Sequence, residues 1–141
     1  MNTTEFLEIS SAICPHRDLM VFDGQRWSFS QTHARVNRLA RVLSGFGVNK
    51  GDRVGMLQVN CNQYVETYFA AAKVGAIFVP LNFRAKSEEL KYMINHAGIK
   101  VLFTGKRYLK MIETLLDQMP CVQQCICVEP VAEKSLYYED L

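Results

Sequence analysis

With 141 residues, 49% of them hydrophobic and 21% charged, the chain has the make-up of one globular domain, or part of a larger one, able to bury a sizeable core. A net charge of +2 excludes broad electrostatic attraction to nucleic acid or anionic lipid. No apolar run approaches the roughly 20 residues of a membrane-spanning helix. The start, MNTTEFLEISSAICP, carries acids where a signal peptide carries positive charge, and the five cysteines are irregularly spaced, as in a reducing compartment; a cytoplasmic location is expected.

Residues 2–13 read as a weakly amphipathic helix with Phe6, Leu7, Ile9, Ala12 and Ile13 apolar, ended by Pro15 through its missing N–H. Residues 19–22 and 26–29 are strand-like runs around Asp23-Gly24, a dipeptide that favours tight hairpin turns. Ser30 is the expected cap of a helix over residues 31–45. Its apolar face is Val36, Leu39, Ala40, Leu43 and Phe46. Arg35, Arg38 and Arg41 lie on its other faces and could bind phosphate, but such a set is expected to be a solvated surface.

From Gly45 to Asn82 the pattern is one βαβ unit. Residues 53–59 are an apolar run rich in β-formers, and Asn60 with Gln63 has capping-box spacing for a helix to about Lys73. Val65, Tyr68, Phe69 and Ala72 recur at helical spacing, and Ala70–Ala72 offer a flat surface for close packing on a sheet. Gly75 suits the left-handed residue after the helix, and residues 77–79 read as a buried strand stopped by Pro80. A helical crossover implies parallel strands. After a polar link at 82–86, Ser87 is the expected cap of a helix to His96, with Glu88 and Glu89 in its first turn and Gly98 at its end. Strand 101–104, helix 108–119 with Leu109, Ile112, Leu115 and Leu116 on one side, and strand 121–128 follow. The alternation βαβαβαβ predicts an α/β fold: an open, mainly parallel sheet with helices on both faces over residues 48–141, preceded by helices and a hairpin over residues 1–47.

No set of residues stands out as a site. Gly45, Gly47 and Gly51 resemble a phosphate loop, but a helix precedes them and a strand follows, the reverse of what that loop needs, so chain reversal is expected. Cys121, Cys125 and Cys127 could supply three thiolates to zinc, yet no histidine lies near them in sequence, and buried hydrophobic packing is the expected role. His16, His33 and His96 stand apart from any Ser, Cys or acid in a catalytic pattern. Tyr64, Tyr68 and Phe69 read as core. Glu88 and Glu89, about 100° apart on a helix, do not form an acid–base pair. No catalytic, cofactor-binding or metal residue is assigned.

The ordered markers Arg38-Leu39-Ala40, Gly51-Asp52-Arg53-Val54, Gly75-Ala76 and Pro80-Leu81-Asn82, within residues 27–104, resemble the N-terminal part of the acyl-CoA synthetases of the AMP-forming adenylate superfamily. PLNFRAKSEEL is similar to ligases of fatty or aromatic carboxylic acids. The resemblance implies a reaction in two steps: a carboxylate attacks the α-phosphate of Mg-ATP to give acyl-AMP and pyrophosphate, and the thiol of coenzyme A then displaces AMP. It also implies a Ser/Thr/Gly-rich phosphate loop, an acid for Mg²⁺ and a lysine on a mobile C-terminal domain, none of which occurs in this sequence. LYYEDL at 136–141 resembles a segment placed shortly before that loop, so residues 130–141 do not read as a finished terminus. The implied molecule is an incomplete part of the N-terminal domain of an ATP-dependent acid–CoA ligase, lacking the C-terminal domain, inactive alone and binding no ATP, Mg²⁺ or CoA by itself. An unpaired sheet edge, and the apolar face of residues 31–45, with Phe6 and Ile9 nearby in sequence, lacking part of its partner, are expected to drive self-association. The alternative is a stand-alone, non-catalytic interaction module built on the same fold.

Overall fold

The computed structural model describes residues 2–131 and 135–141; positions 132–134, inside the C-terminal stretch 130–141, lie outside the described residues. Helix α1 (Thr3–Ile13) starts from a reciprocal cap. The Asn2 side chain accepts from the backbone of Thr4 and Glu5, while the Glu5 carboxylate accepts the Asn2 N–H at 3.2 Å. Only Leu7 of its apolar set is buried; Phe6, Ile9 and Ile13 remain 56%, 48% and 77% exposed. Strands β1 (Asp18–Phe22) and β2 (Gln25–Ser28) form an antiparallel hairpin. Asp23 and Gly24 both have positive φ, 49° and 73°, as the tightest hairpin turn demands.

Helix α2 (Phe29–Gly45) begins two residues earlier than Ser30 would place it. Ser28 is the cap. Its hydroxyl accepts the Gln31 N–H at 3.1 Å and its own N–H donates to the Gln31 side chain at 2.9 Å, a reciprocal pair that Ser30 is not placed to make. Thr32, Val36, Leu39, Ala40 and Leu43 are buried, the phase expected from the apolar spacing. Contrary to expectation the face is not left uncovered: it packs in one core with Leu7, Val54, Ala70, Ala71 and Phe103.

The remainder alternates as β3 (Arg53–Leu57), α3 (Asn62–Lys73), β4 (Ile77–Pro80), α4 (Ser87–Ala97), β5 (Ile99–Thr104), α5 (Lys106–Leu115) and β6 (Gln124–Cys127). A two-residue strand, β7 (Leu136–Tyr137), and a 3-10 turn over Tyr138–Asp140 end the described chain. The five strands lie in the order β4-β3-β5-β6-β7, every neighbouring pair parallel. Two cores flank the sheet. Val54, Met56, Val101 and Phe103 pack with α2 and α3 through Leu39, Leu43, Ala70 and Ala71. On the other face Leu57, Ile99 and Leu102 pack with α4 and α5 through Leu90, Ile94, Ile112 and Leu115. The fold is therefore an α/β open parallel sheet with helices on both faces.

Several local expectations are corrected. Strand β4 is an edge strand with Ile77 54% exposed, because its ladder runs to β3 alone among the described residues; Pro80 is tolerated there as the last residue. Asn60 does not cap α3, which starts only after a bend at residues 59–60; Cys61 occupies the cap position without a side-chain bond. Ser87 is already inside α4, and the Glu89 carboxylate accepts the N–H of the preceding Lys86 at 2.7 Å. The face that α3 buries is Asn62, Glu66, Thr67, Ala70 and Ala71, rotated away from the stripe of Val65, Tyr68, Phe69 and Ala72. Tyr68 is 43% exposed, and its ring meets Phe69 and Phe78 edge-on beside the β4 edge instead of lying in the core.

Candidate functional site

In an open parallel sheet, ligands lie outside the carboxyl ends of the strands where the connections diverge to opposite faces. Here that point is between β3 and β5: α3 leaves β3 toward one core and α5 leaves β5 toward the other. The chain's own side chains fill it. Gln58, just after β3, lies over the backbone of Gly105, where an added Cβ would meet the amide oxygen at 2.5 Å. Its Nε2 donates to Glu129 Oε2 at 3.2 Å, and the same oxygen accepts the Lys106 N–H at 2.6 Å. The positive end of α5, where a free anion would otherwise be held, thus carries the Glu129 carboxylate. Beyond it a groove of about 450 Å³ is lined by Trp27, Gln58, Cys61, Gln63, Glu129 and Tyr137 among others, with no Lys or Arg among the described lining residues. The charged side chains among these described lining residues, Glu129 and Asp23, are both acids.

Beside the groove, on the α2/α3 face, a buried charge is satisfied completely. Glu66 is fully buried, and its Oε1 accepts from Arg35 Nε at 2.8 Å and Asn62 Nδ2 at 2.9 Å. Its Oε2 accepts from the Tyr138 hydroxyl at 2.7 Å. Arg35 also forks onto Glu139, Nη1 to Oε2 at 2.9 Å and Nη2 to Oε1 at 2.8 Å, while Gln63 Nε2 donates to Glu139 at 3.3 Å. The hydrogen bonds to Glu139 lead in raising the Arg35 pKa, and the same bond from Arg35 leads in holding the Glu139 carboxyl below its ordinary value. Burial, with Glu66 beside it, pushes the Tyr138 phenol well above its usual range. Tyr138 therefore stays protonated and donates. Every charge here has a partner inside the chain, so the cluster can tie elements together and has no free acid or base to offer a substrate.

The sequence pattern of the AMP-binding enzyme family matches residues 7–140, nearly the whole chain, and so takes in both the sheet and the Glu66 cluster. The chain belongs to the AMP-binding enzyme family. An acyl-CoA ligase, sidI, from Aspergillus fumigatus is 38% identical over 105 residues, covering 73% of this chain and 18% of the relative. A long-chain-fatty-acid–CoA ligase from Thermus thermophilus is 30% identical over 145 aligned positions, covering 99% of this chain and 27% of the relative. Among solved structures, a fatty acyl CoA synthetase of Mycobacterium tuberculosis superposes with a TM-score of 0.85 at 29% identity, over 90% of this chain and 26% of that one. The chain thus spans about a fifth to a quarter of the length of these AMP-binding relatives.

In this member of the AMP-binding family the residues singled out from the sequence are scattered over separate places. Gly47 and Gly51, both at positive φ, turn the chain from α2 into β3; the turn is tied by Gly51 N–H to the Gly75 carbonyl at 2.9 Å and by Lys100 Nζ to the Gly47 carbonyl at 2.6 Å. Cys125 is half-buried and its thiol is pushed up to about 12 by burial; Cys127 is fully buried and raised for the same reason. Cys121 reaches the Ile94 carbonyl at 3.6 Å, and the described residues contain no group of three or more metal-ligating side chains. His33 lies 3.2 Å from the Asn37 amide, His96 stacks on Tyr92, and His16 precedes β1. Glu88 pairs with Lys91 at 2.6 Å while Glu89 caps α4. Of the three arginines on α2, Arg38 and Arg41 are exposed as expected. Arg35 is not part of a solvated face: Glu66 and Glu139 hold it. Sequence reasoning missed Arg35, Glu66, Gln58 and Glu129 as structural polar groups; the one readable signal was Glu66 one turn from Ala70 on the side that packs inward.

Proposed function

We propose that this chain is the N-terminal portion of an ATP-dependent carboxylic acid–CoA ligase, which forms acyl-AMP and then a CoA thioester from a fatty or aromatic acid. The observation that carries this reading is likeness over nearly the full chain, in sequence and in fold, to proteins named as acyl-CoA and fatty-acid ligases. In that role residues 48–141 supply sheet and helices, and residues 1–47 add two helices and a hairpin. ATP, Mg²⁺ and CoA serve the complete enzyme, in the cytoplasm. The chain alone is inactive. This is supported by the groove at the carboxyl edge, whose charged side chains among the described lining residues are Glu129 and Asp23 where a triphosphate requires cations, and by the absence of a free acid or base in the Glu66 cluster.

The exposed side chains Phe6, Ile9, Ile13 and Ile77 favour a part of a larger molecule over the alternative of a closed interaction module. Carboxylate-dependent exchange of pyrophosphate into ATP by the purified 141-residue chain tests the reading. No exchange above background is expected over a panel of fatty and aromatic acids. Exchange by the chain alone would overturn the assignment of the chemistry to residues outside it.

A further inference from the structure

We propose that residues 135–141 form a strap with its own opening equilibrium, and that Arg35 is the positioning residue that holds this strap at the carboxyl edge of the sheet. Strand β7 contributes only two ladder positions, Ile126↔Leu136 and Cys127↔Tyr137, too short a pairing to persist by itself. Leu136 is 42% exposed, and Glu139 and Asp140 are exposed as well. Tyr138, 6% exposed, is the buried side chain of the strap and packs edge-on against Phe103 with ring centroids 5.8 Å apart, while Tyr137 and Leu141 pack partly buried against the same core. The strap's polar attachments include the Tyr138 hydroxyl on Glu66 and the two-pronged Arg35–Glu139 contact.

Both attachments end on residues whose own placement does not depend on the strap. Arg35 and Glu66 sit on α2 and α3, which pack through Leu39, Leu43, Ala70 and Ala71, and they remain bonded to each other at 2.8 Å if the strap leaves. Opening therefore leaves no buried charge unpaired and leaves β3, β4 and β5 in register. Its consequence is local. Tyr137 is a wall of the groove that holds Trp27 and Gln58, while Tyr138, Glu139 and Leu141 close a second cleft over Arg35 and Arg38. The strap thus sets whether these two concavities are separate or open to each other and to solvent.

Hydrogen exchange followed by mass spectrometry on the 141-residue chain tests this, comparing the unmodified protein with Glu139→Gln and Tyr138→Phe. Glu139→Gln leaves the Arg35–Glu66 pair in place, and Tyr138→Phe keeps the ring in the core. In each variant the amides of 135–141 are expected to exchange about tenfold faster, equivalent to about 1.4 kcal/mol, while β3 and β5 keep their rates. The proposal is overturned if strap exchange is unchanged in Glu139→Gln, or if β3 and β5 accelerate by the same factor, since the strap would then open only with the whole fold.

Discussion

Arg35 Nε donates to the carboxylate of Glu66 at 2.8 Å, joining α2 to α3 at a point where the carboxylate has no contact with solvent. A buried carboxylate with three donors is stable in place, but it becomes a liability when its cationic partner is removed. Arg35→Ala is therefore expected to destabilise the chain by roughly 3 kcal/mol, near the lower end of the range for breaking a buried pair. Arg38→Ala, on the exposed side of the same helix, should change stability by no more than about 0.5 kcal/mol. Urea unfolding of the two variants checks the contrast, and equal effects would show that Glu66 gains nothing from Arg35.

Glu139 titrates below its ordinary value because Arg35 favours its charged form. The folded state then binds the proton less readily than the unfolded chain, so the stabilisation is fully present above the unfolded value of about 4.3 and is lost as pH falls through the lower folded value. Urea midpoints measured from pH 6 down to pH 3 should fall more steeply for the unmodified chain than for Glu139→Gln. Parallel pH profiles would show that the Arg35–Glu139 contact contributes nothing to stability.

The close approach of Gln58 to Gly105 predicts a coupled pair. Gly105→Ala places a methyl group against the Gln58 amide and pushes it off Glu129, at a cost of about 1 kcal/mol for the lost hydrogen bond. In a Gln58→Ala background the three atoms nearest the added methyl, all of the Gln58 amide, are gone. Gly105→Ala should then be nearly neutral, and a double-mutant cycle measures the difference. Additive effects would mean that the two positions do not interact.

Exposed apolar side chains on α1 and the open β4 edge predict concentration-dependent self-association of the isolated chain. Light scattering over a range of concentrations should show a rising mass, and Ile77→Lys on the edge strand should lower it. A monodisperse monomer at every concentration, with cooperative unfolding, would favour the closed-module alternative.

Much of the architecture follows from short-range information. The period of Val36, Leu39, Ala40 and Leu43 sets the buried face of α2, Asp23-Gly24 sets the hairpin, and the alternation from Arg53 onward sets a parallel sheet, because turn geometry and helical period act over a few residues. The markers from Arg38 to Asn82 likewise sufficed to place the chain among the AMP-binding enzymes. What the pattern missed depends on distant partners. Apolar spacing pointed α3 inward through Tyr68, yet its inward face carries Glu66, whose charge is offset by Arg35 from another helix and by Asn62, with the Tyr138 hydroxyl, 72 positions away, as a third donor. Arg35 reads as one of three solvated arginines until Glu139, 104 positions along the chain, meets its guanidinium. Strand β7 is two residues long and has no period to detect; its place beside β6 is decided by partners distant in sequence, Phe103 and Glu66 for Tyr138 and Arg35 for Glu139. Local sequence sets period, turn and cap within a residue or two, whereas the burial of a charge is decided by tertiary structure, since its desolvation is offset only when partners from separate elements converge on it.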